Sequence, residues 1–327
     1  MHTTPVTDAA QAHATRATSL RIFPLHTFLL RLLRAARAQA QPHEEQPLKV
    51  QPQQPPPRHR IATFLASLAL ALAAFAHPGF LRAAHAGQAC SEAQPTPEHI
   101  RAGLNLALQT RQALEASSAQ VAMVARVGQD LSRYGLRYSH MAWAWRDHPK
   151  GRWFVVHELN ACGTAGSELY DEGLGNFFLT DLVAYDALLV IPPPEAQARL
   201  AAQLARDRAL AMHQPRYNMV AYPWATKYQN SNQWAAETLA AALAPEGGIA
   251  DRAAAQSWLK QNGFTPTTLN LSTFTRLGGR MFRANVAFDD HPDERRFAGR
   301  IDTTTVESVA RFLEARGAKS QVLSLAK

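Results

Sequence analysis

Three side chains in this sequence have the types needed for acyl-transfer chemistry: Ser231, His140 and His157. Such chemistry needs a nucleophile, a base that takes its proton, and a group that orients the base. The two histidines lie in apolar segments joined by a short polar stretch, a pattern typical of neighbouring strands. Ser231 opens a helix-like run, and a helix N-terminus stabilises developing negative charge. The pattern predicts Ser231 as nucleophile, His140 as base and His157 as the group that holds the ring of His140.

Each of these residues also has a purely structural interpretation. Ser231 could be the N-cap of the helix that follows it, and Asn230 or Asn232 could serve the same purpose. Each histidine could be a hydrogen-bonded strand residue without a chemical role. The spacing alone favours these structural roles. The catalytic interpretation therefore requires that the three side chains meet in space.

Aromatic and amide side chains close to these segments are the candidates for substrate contact. They are Tyr138, Tyr228, Asn230 and Trp234. Tryptophans at such positions are more often part of a core, although exposed ones would suit a sugar or peptide face.

A polar stretch near the C-terminus, from Asp289 to Glu294, offers oxygen and nitrogen ligands for a metal. Neighbouring residues of a strand point to opposite faces, so only some of them could converge on one ion. We interpret the stretch as a polar loop, assign no metal ligand and expect no cofactor. A metal-dependent site at Asp289–Glu294 is kept as an alternative.

The N-terminal quarter of the chain has the pattern of an export signal. Residues 58–86 combine a basic start, an apolar run over 61–76 and an Ala-His-Ala end at 84–86, which predicts a signal peptide cleaved after Ala86. The apolar run is short for a membrane span, which needs roughly 20 residues. We expect an exported protein, periplasmic or secreted, without a stable membrane span after cleavage. Residues 1–57 are interpreted as a non-structural leader, on the hypothesis that the gene start was assigned too early. Residues 87–327 are interpreted as a single domain.

The net charge limits the classes of expected binding partner, and the cysteine count predicts a disulfide. The chain carries a net charge of +8, but nine basic and three acidic residues lie in 1–86, which leaves only +2 for the rest. No basic stripe interleaved with aromatics remains, so nucleic acid is not an expected partner. A small molecule, peptide or lipid of the cell envelope is expected instead. Cys90 and Cys162 both follow the signal, and an even count in an exported chain predicts a disulfide.

The order of the elements predicts an α+β domain. Cap residues and apolar periodicity predict the helices, and β-branched runs predict the strands. The first helix is expected to bury Ile100, Leu104, Leu108 and Leu114 on one face. The expected elements are helices over 97–118, 195–212, 231–244, 251–261 and 306–315, the last with a Thr304/Glu307 capping box, and strands over 121–127, 139–145, 152–159 and 217–222.

Four segments together resemble a known family. They are Arg126 to His140, Val156 to Asn160, Gly173 to Phe178, and Ala221 to Trp234, the last with the distinctive run Gln-Asn-Ser-Asn-Gln-Trp. In these segments the chain resembles the bacterial family called domain of unknown function 2145, from about Cys90 to the C-terminus. That family has no established activity.

A more distant resemblance concerns mechanism. Tyr138-Ser139-His140, an apolar strand, a polar turn and Val-Val-His157 look like the NlpC-type papain-like superfamily. In its circularly permuted branch the nucleophile follows the histidine within an Asn-Cys pair that opens a helix, and Asn230-Ser231 would occupy that pair. The resemblance implies a papain-like core, with an antiparallel sheet packed against helices.

The serine departs from that pattern, and a hydroxyl is far less acidic than a thiol. The sequence therefore leans towards a degenerate groove that binds a ligand or peptide without strong catalysis. The alternative is an amide or ester hydrolase, or an acyltransferase, that uses Ser231 and His140.

Overall fold

The computed structural model describes residues 95–325, except 181 and 246–247. The leader, the signal peptide and Cys90 lie outside the described residues, so these expectations and the Cys90–Cys162 pairing stay predictions. Within the described part, no helix is both long enough and apolar enough to cross a membrane.

The described chain contains both helices and strands. The strands are β1 (Val121–Val127), β2 (His140–His148), β3 (Gly151–Asn160), β4 (Ser167–Gly173), β5 (Ala184–Ile191), β6 (Thr267–Asn270), β7 (Arg300–Thr303) and β8 (Lys319–Ser324). The helices are α1 (Pro97–Ala116), α2 (Leu174–Leu179), α3 (Pro194–Leu204), α4 (Arg206–Ala211), α5 (Ser231–Leu243), α6 (Arg252–Gln261), α7 (Thr273–Phe282), α8 (Asp293–Phe297) and α9 (Val306–Glu314), with a 3₁₀ turn at Ser132–Tyr134.

Six of the strands form one sheet in the order β4-β3-β2-β1-β5-β8, and every neighbouring pair is antiparallel. β6 and β7 form a separate two-stranded sheet. The expected α+β class, with an antiparallel sheet packed against helices, is confirmed.

The six-stranded sheet is covered on both faces. Val121, Met123 and Trp143 pack on one face with residues of α3, α5, α6 and α9. Ala122, Val124 and their neighbours pack on the other face with α1 and α2. β1 is therefore buried along its whole length, which explains why its sequence is an almost unbroken apolar run.

α1 begins at its expected cap, Thr96, whose hydroxyl accepts a hydrogen bond from the His99 N–H. Of the four residues expected on the buried face, only Leu114 is buried. Ile100, Leu104 and Leu108 are exposed, and the buried residues of α1 are Gly103, Leu106, Ala107, Thr110 and Leu114. The physical reason is close packing at Gly103, where a Cβ would lie 2.5 Å from the carbonyl oxygen of Phe178. α1 can approach α2 this closely only on the face that contains Gly103, because glycine has no side chain.

Two further expectations are wrong. The helix over 195–212 is interrupted at Ala205, whose extended backbone (φ −54°, ψ 134°) separates α3 from α4. The segment 217–222 forms no strand, because Tyr217 makes only an isolated bridge to Gln229.

The last capping box is shifted by one residue. Thr305, not Thr304, accepts from the Ser308 N–H, and the Ser308 hydroxyl oxygen accepts from the Thr305 N–H. Glu307 is not part of the cap, because its carboxylate accepts from the backbone N–H groups of Arg137 and Tyr138.

Candidate active site

The helix that carries Ser231 is capped by its neighbour. Asn230 Oδ1 accepts a hydrogen bond from the Gln233 N–H at 2.8 Å, and Asn230 Nδ2 donates to Thr303 Oγ1 at 2.9 Å. Asn230 is thus the N-cap of α5, as one of the alternatives allowed. The interpretation of Ser231 as the cap is wrong, and its hydroxyl is left for other contacts.

A buried polar cluster fixes α5 two turns further on. The Glu237 carboxylate accepts from Arg252 Nε at 2.7 Å, from Gln256 Nε2 at 2.7 Å and from Gln229 Nε2 at 2.6 Å. Burial raises the pKa of Glu237, and the Arg252 guanidinium opposes that rise. Because a buried carboxylate needs such partners, α5 is held in one position, and Ser231 with it.

Ser231 begins a chain of four polar side chains. Its Oγ lies 3.0 Å from Nδ1 of His140, and Nε2 of His140 lies 2.8 Å from Nδ1 of His157. Nε2 of His157 lies 3.1 Å from Oε1 of Glu172 on β4. His157 stands opposite Tyr170 in the ladder, so Glu172 is its diagonal neighbour on the same face.

The Glu172 carboxylate determines which ring nitrogen of each histidine carries the proton. An ionised Glu172 only accepts, so His157 donates from Nε2, and a neutral His157 then accepts at Nδ1. His140 must donate from Nε2 and accept at Nδ1. The Ser231 O–H therefore donates to His140, which is the arrangement of a nucleophile with its general base.

Both histidines are held in the neutral form. Burial lowers the pKa of His140 well below its usual 6.5, with the Arg126 guanidinium and His157 acting in the same direction. Arg126 is the ladder partner of His140. Burial also lowers the pKa of His157, against the opposing effect of Glu172. An uncharged His140 can accept a proton at pH values around 7.

Tyr217 contacts the nucleophile from another side. Its phenol lines the same cavity as Ser231 and interacts with the hydroxyl and the backbone amide of that residue. Burial raises the pKa of Tyr217 above its usual 10.0, and the nearby Glu158 acts in the same direction. Tyr217 therefore stays protonated, so its O–H can donate to Ser231 Oγ while its oxygen accepts from the Ser231 N–H.

A cavity of about 110 Å³ opens at Ser231 and His140. The polar residues of its wall include Arg126, Glu158, Asn160, Tyr217, Asn230, Asn232 and Asn285. Burial raises the pKa of Glu158 to about 8, although the Ser167 hydroxyl donates to its Oε1 at 2.6 Å. The cavity thus presents amide, phenol and carboxyl groups beside the nucleophile.

Of the four residues expected to contact substrate, one lines this cavity. Asn230 is in its wall. Tyr138 and Trp234 belong to the core cluster, and the indole N–H of Trp234 donates to the Ala209 carbonyl. Tyr228 lies beneath the guanidinium of Arg216. Large aromatic rings next to a site in sequence are here used for packing.

The family model described as "Uncharacterized protein conserved in bacteria (DUF2145)" matches residues 113–313, more than half of the chain. The chain belongs to the DUF2145 family. The matched segment contains Ser231, His140, His157 and Glu172, and the expected resemblance to this family is confirmed. No curated protein and no solved structure matches the chain.

Sequence reasoning missed three members of this DUF2145 site: Arg126, Glu172 and Tyr217. Glu172 lies on β4, a strand that the sequence pattern did not predict, so no signal pointed to its register with His157. Tyr217 was assigned to a strand rather than to a loop. Arg126 could have been noticed as the one charged residue in an apolar strand.

The aspartate side chains of the segment considered as a metal site, Asp289–Glu294, contact other protein groups. Asp289 pairs with Lys227, and Asp293 pairs with Arg296. Asp290 accepts from the Tyr222 N–H at 2.8 Å and lies 2.9 Å from Nδ1 of His291. Over the described residues, no group of three or more His, Cys, Asp or Glu side chains is arranged to hold a metal ion.

Proposed function

We propose that this protein is a serine-dependent acyl hydrolase or acyltransferase of the bacterial cell envelope, exported by the segment at 58–86. The observation that carries the proposal is the pair of hydrogen bonds that joins Ser231, His140 and His157, with the Glu172 carboxylate 3.1 Å from the far nitrogen of His157. A serine nucleophile, a histidine base and a polar partner for that base are the roles that the proposed resemblance to the NlpC-type papain-like superfamily implies, with the serine in place of the cysteine.

In the proposed reaction, Ser231 Oγ attacks the carbonyl carbon of an ester or amide, and its proton moves to His140 Nδ1. The bond to the leaving group then breaks, and the leaving group takes that proton. Water or a second acceptor attacks the acyl-enzyme in the same way and restores Ser231. His157 and Glu172 orient His140 and stabilise it while it is charged.

The negative charge of the tetrahedral intermediate needs donors close to Ser231. Tyr217 is kept protonated by burial, and its hydroxyl contacts Ser231. The N-terminus of α5 adds the positive end of the helix dipole. These groups are the candidates for an oxyanion hole.

The first experiment is labelling with a fluorophosphonate probe, followed by mass spectrometry of the Ser231 peptide. We expect Ser231 to be labelled, and Ser231→Ala and His140→Ala to lose labelling by about 10³-fold or more, as members of a catalytic unit do. Ser139→Ala is the matched control. Its hydroxyl lines the same cavity but accepts from the Gly128 N–H and is not bonded to His140.

A second candidate is a groove that binds an envelope small molecule, peptide or lipid without turnover. The observation in its favour is burial, because Ser231 and His140 are only 6% and 9% exposed. It predicts no labelling and no turnover of short-chain esters by the wild type, with ligand binding unchanged in Ser231→Ala. Labelling confined to Ser231 would eliminate it.

A further inference from the structure

α7 carries its large apolar side chains on its outer side. Phe274, Leu277, Met281 and Phe282 are 87%, 54%, 64% and 67% exposed, and none of its residues is buried. The spacing of these residues places them on one face of the helix. A surface helix usually turns such a face towards the core. Within the described part of the protein, this face is turned to solvent instead.

The opposite side of α7 is the one that rests on the protein. A Cβ at Gly279 would lie 3.2 Å from Val286 Cγ1, so Gly279 faces the chain that follows the helix. Arg276 and Arg283 are also partly buried. The small and polar side is thus the inner one, and the outward direction of the apolar side is set by packing.

α7 is a weak helix on its own. It has only ten residues and contains the pair Gly278-Gly279. Glycine is among the poorest helix formers, and helices shorter than about 12–15 residues are marginal in water without packing of their apolar face. A surface that covers the outer face would therefore stabilise α7.

The charge of this segment indicates what that surface is. Residues 273–283 contain three arginines, at 276, 280 and 283, and no acidic residue. Phenylalanine, leucine and methionine on one side with arginine on the other is the composition of helices that lie in the headgroup region of a bilayer. Arginines near such a surface are attracted by anionic lipid.

We propose that α7 docks this protein on the surface of an anionic lipid bilayer. The four exposed apolar side chains enter the boundary between headgroups and acyl chains, and the exposed Arg280 approaches the phosphates. The chain after α7 leads to Asn285, which lines the cavity at Ser231 and donates to Asn160 Oδ1 at 2.8 Å. Docking would place the lipid surface beside that cavity. The proposal concerns binding and is independent of the proposed reaction.

The test is sedimentation of the full chain with vesicles, either phosphatidylglycerol mixed with phosphatidylethanolamine or phosphatidylcholine alone. We expect strong binding to the anionic vesicles, weak binding to phosphatidylcholine and release by salt. Phe274→Ser with Phe282→Ser is expected to weaken binding at least about tenfold. Arg280→Gln, which removes the charge of the exposed arginine, should reduce binding to anionic vesicles only.

Leu108→Ser is the matched control, because Leu108 is 53% exposed on α1 and the change has the same chemistry. It should bind like the wild type. The apolar run at 61–76 is present in every variant, so a difference between them belongs to α7. Equal sedimentation of the wild type and the double phenylalanine variant, or no sedimentation at all, would overturn the proposal. So would a wild-type dimer in light scattering that this double variant makes monomeric without any vesicle binding, since a second copy would then cover the face.

Discussion

The two helices α5 and α7 use apolar residues in opposite ways. α5 has thirteen residues, of which eleven are buried, and it is surrounded by the sheet, α3 and α6. α7 has ten residues, none of them buried, and its large side chains point to solvent. Sequence periodicity is much stronger in α7, where apolar and polar residues separate cleanly.

This difference corresponds to the different requirements of the two proposed functions, catalysis at Ser231 and docking through α7. A nucleophile must be held within a few tenths of an ångström of its productive position relative to its base, and the burial of eleven of the thirteen residues of α5 provides that rigidity. A docking surface must be accessible before its partner arrives, so α7 is left uncovered. A strong apolar face therefore indicates burial somewhere, but not burial within the same chain.

The largest expected contrast concerns stability. Trp234 in α5 is fully buried, whereas Phe282 in α7 is 67% exposed. Trp234→Ala should lower the free energy of unfolding by about 3–5 kcal/mol, because it leaves a cavity in the core. Phe282→Ala should change it by less than about 0.5 kcal/mol. Urea denaturation of both variants measures the two values. Comparable losses would mean that α7 is packed in solution and that the contrast between the helices is false.

A change of pH should affect the surroundings of Ser231 but not α7. The surroundings of Ser231 contain Glu158, whose pKa burial raises to about 8 from a usual 4.5. A raised carboxyl pKa contributes stability that is complete below pH 4.5 and is lost as the pH rises through 8. The loss between these values is at most about 1.4 kcal/mol per pH unit. α7 contains no acidic residue, histidine or lysine.

We therefore expect the free energy of unfolding to fall between pH 7 and pH 8 in the wild type and to fall less in Glu158→Gln. Urea titrations at the two pH values give the slopes. Vesicle binding through α7 should be the same at both values. Identical slopes for the wild type and Glu158→Gln would show that Glu158 is ionised in the folded protein at neutral pH.

The sequence predicted those parts of the fold that depend on local signals. Thr96 was predicted as a cap and Asp251 as the first residue of a helix, and both side chains accept a backbone N–H within three residues as N-caps. The pairing of His140 and His157 on neighbouring strands followed from two apolar runs and one tight turn, and their rings do meet.

The parts that were missed depend on contacts between distant residues. The buried face of α1 is set by the approach of Gly103 to Phe178, which no periodicity reveals. Glu172 reaches His157 only through the register of β3 with β4, and Tyr217 reaches Ser231 only through a loop. The site could thus be predicted as a serine and two histidines, but not as the longer chain that holds their protons.

The helix caps give the smallest and most direct contrast between α5 and α7. Asn230 caps α5, and Ser272 caps α7 by accepting from the Thr275 N–H at 3.2 Å. Loss of a cap usually costs about 1 kcal/mol. Asn230→Ala should lower global stability by about that amount, because α5 unfolds only with the core. Ser272→Ala should leave global stability unchanged and speed amide hydrogen exchange only within 273–283, because α7 can open alone. Ser231→Ala tests the cap assignment itself: a loss of global stability as large as that of Asn230→Ala would mean that the serine caps the helix in solution, and its hydroxyl would then not be available to His140.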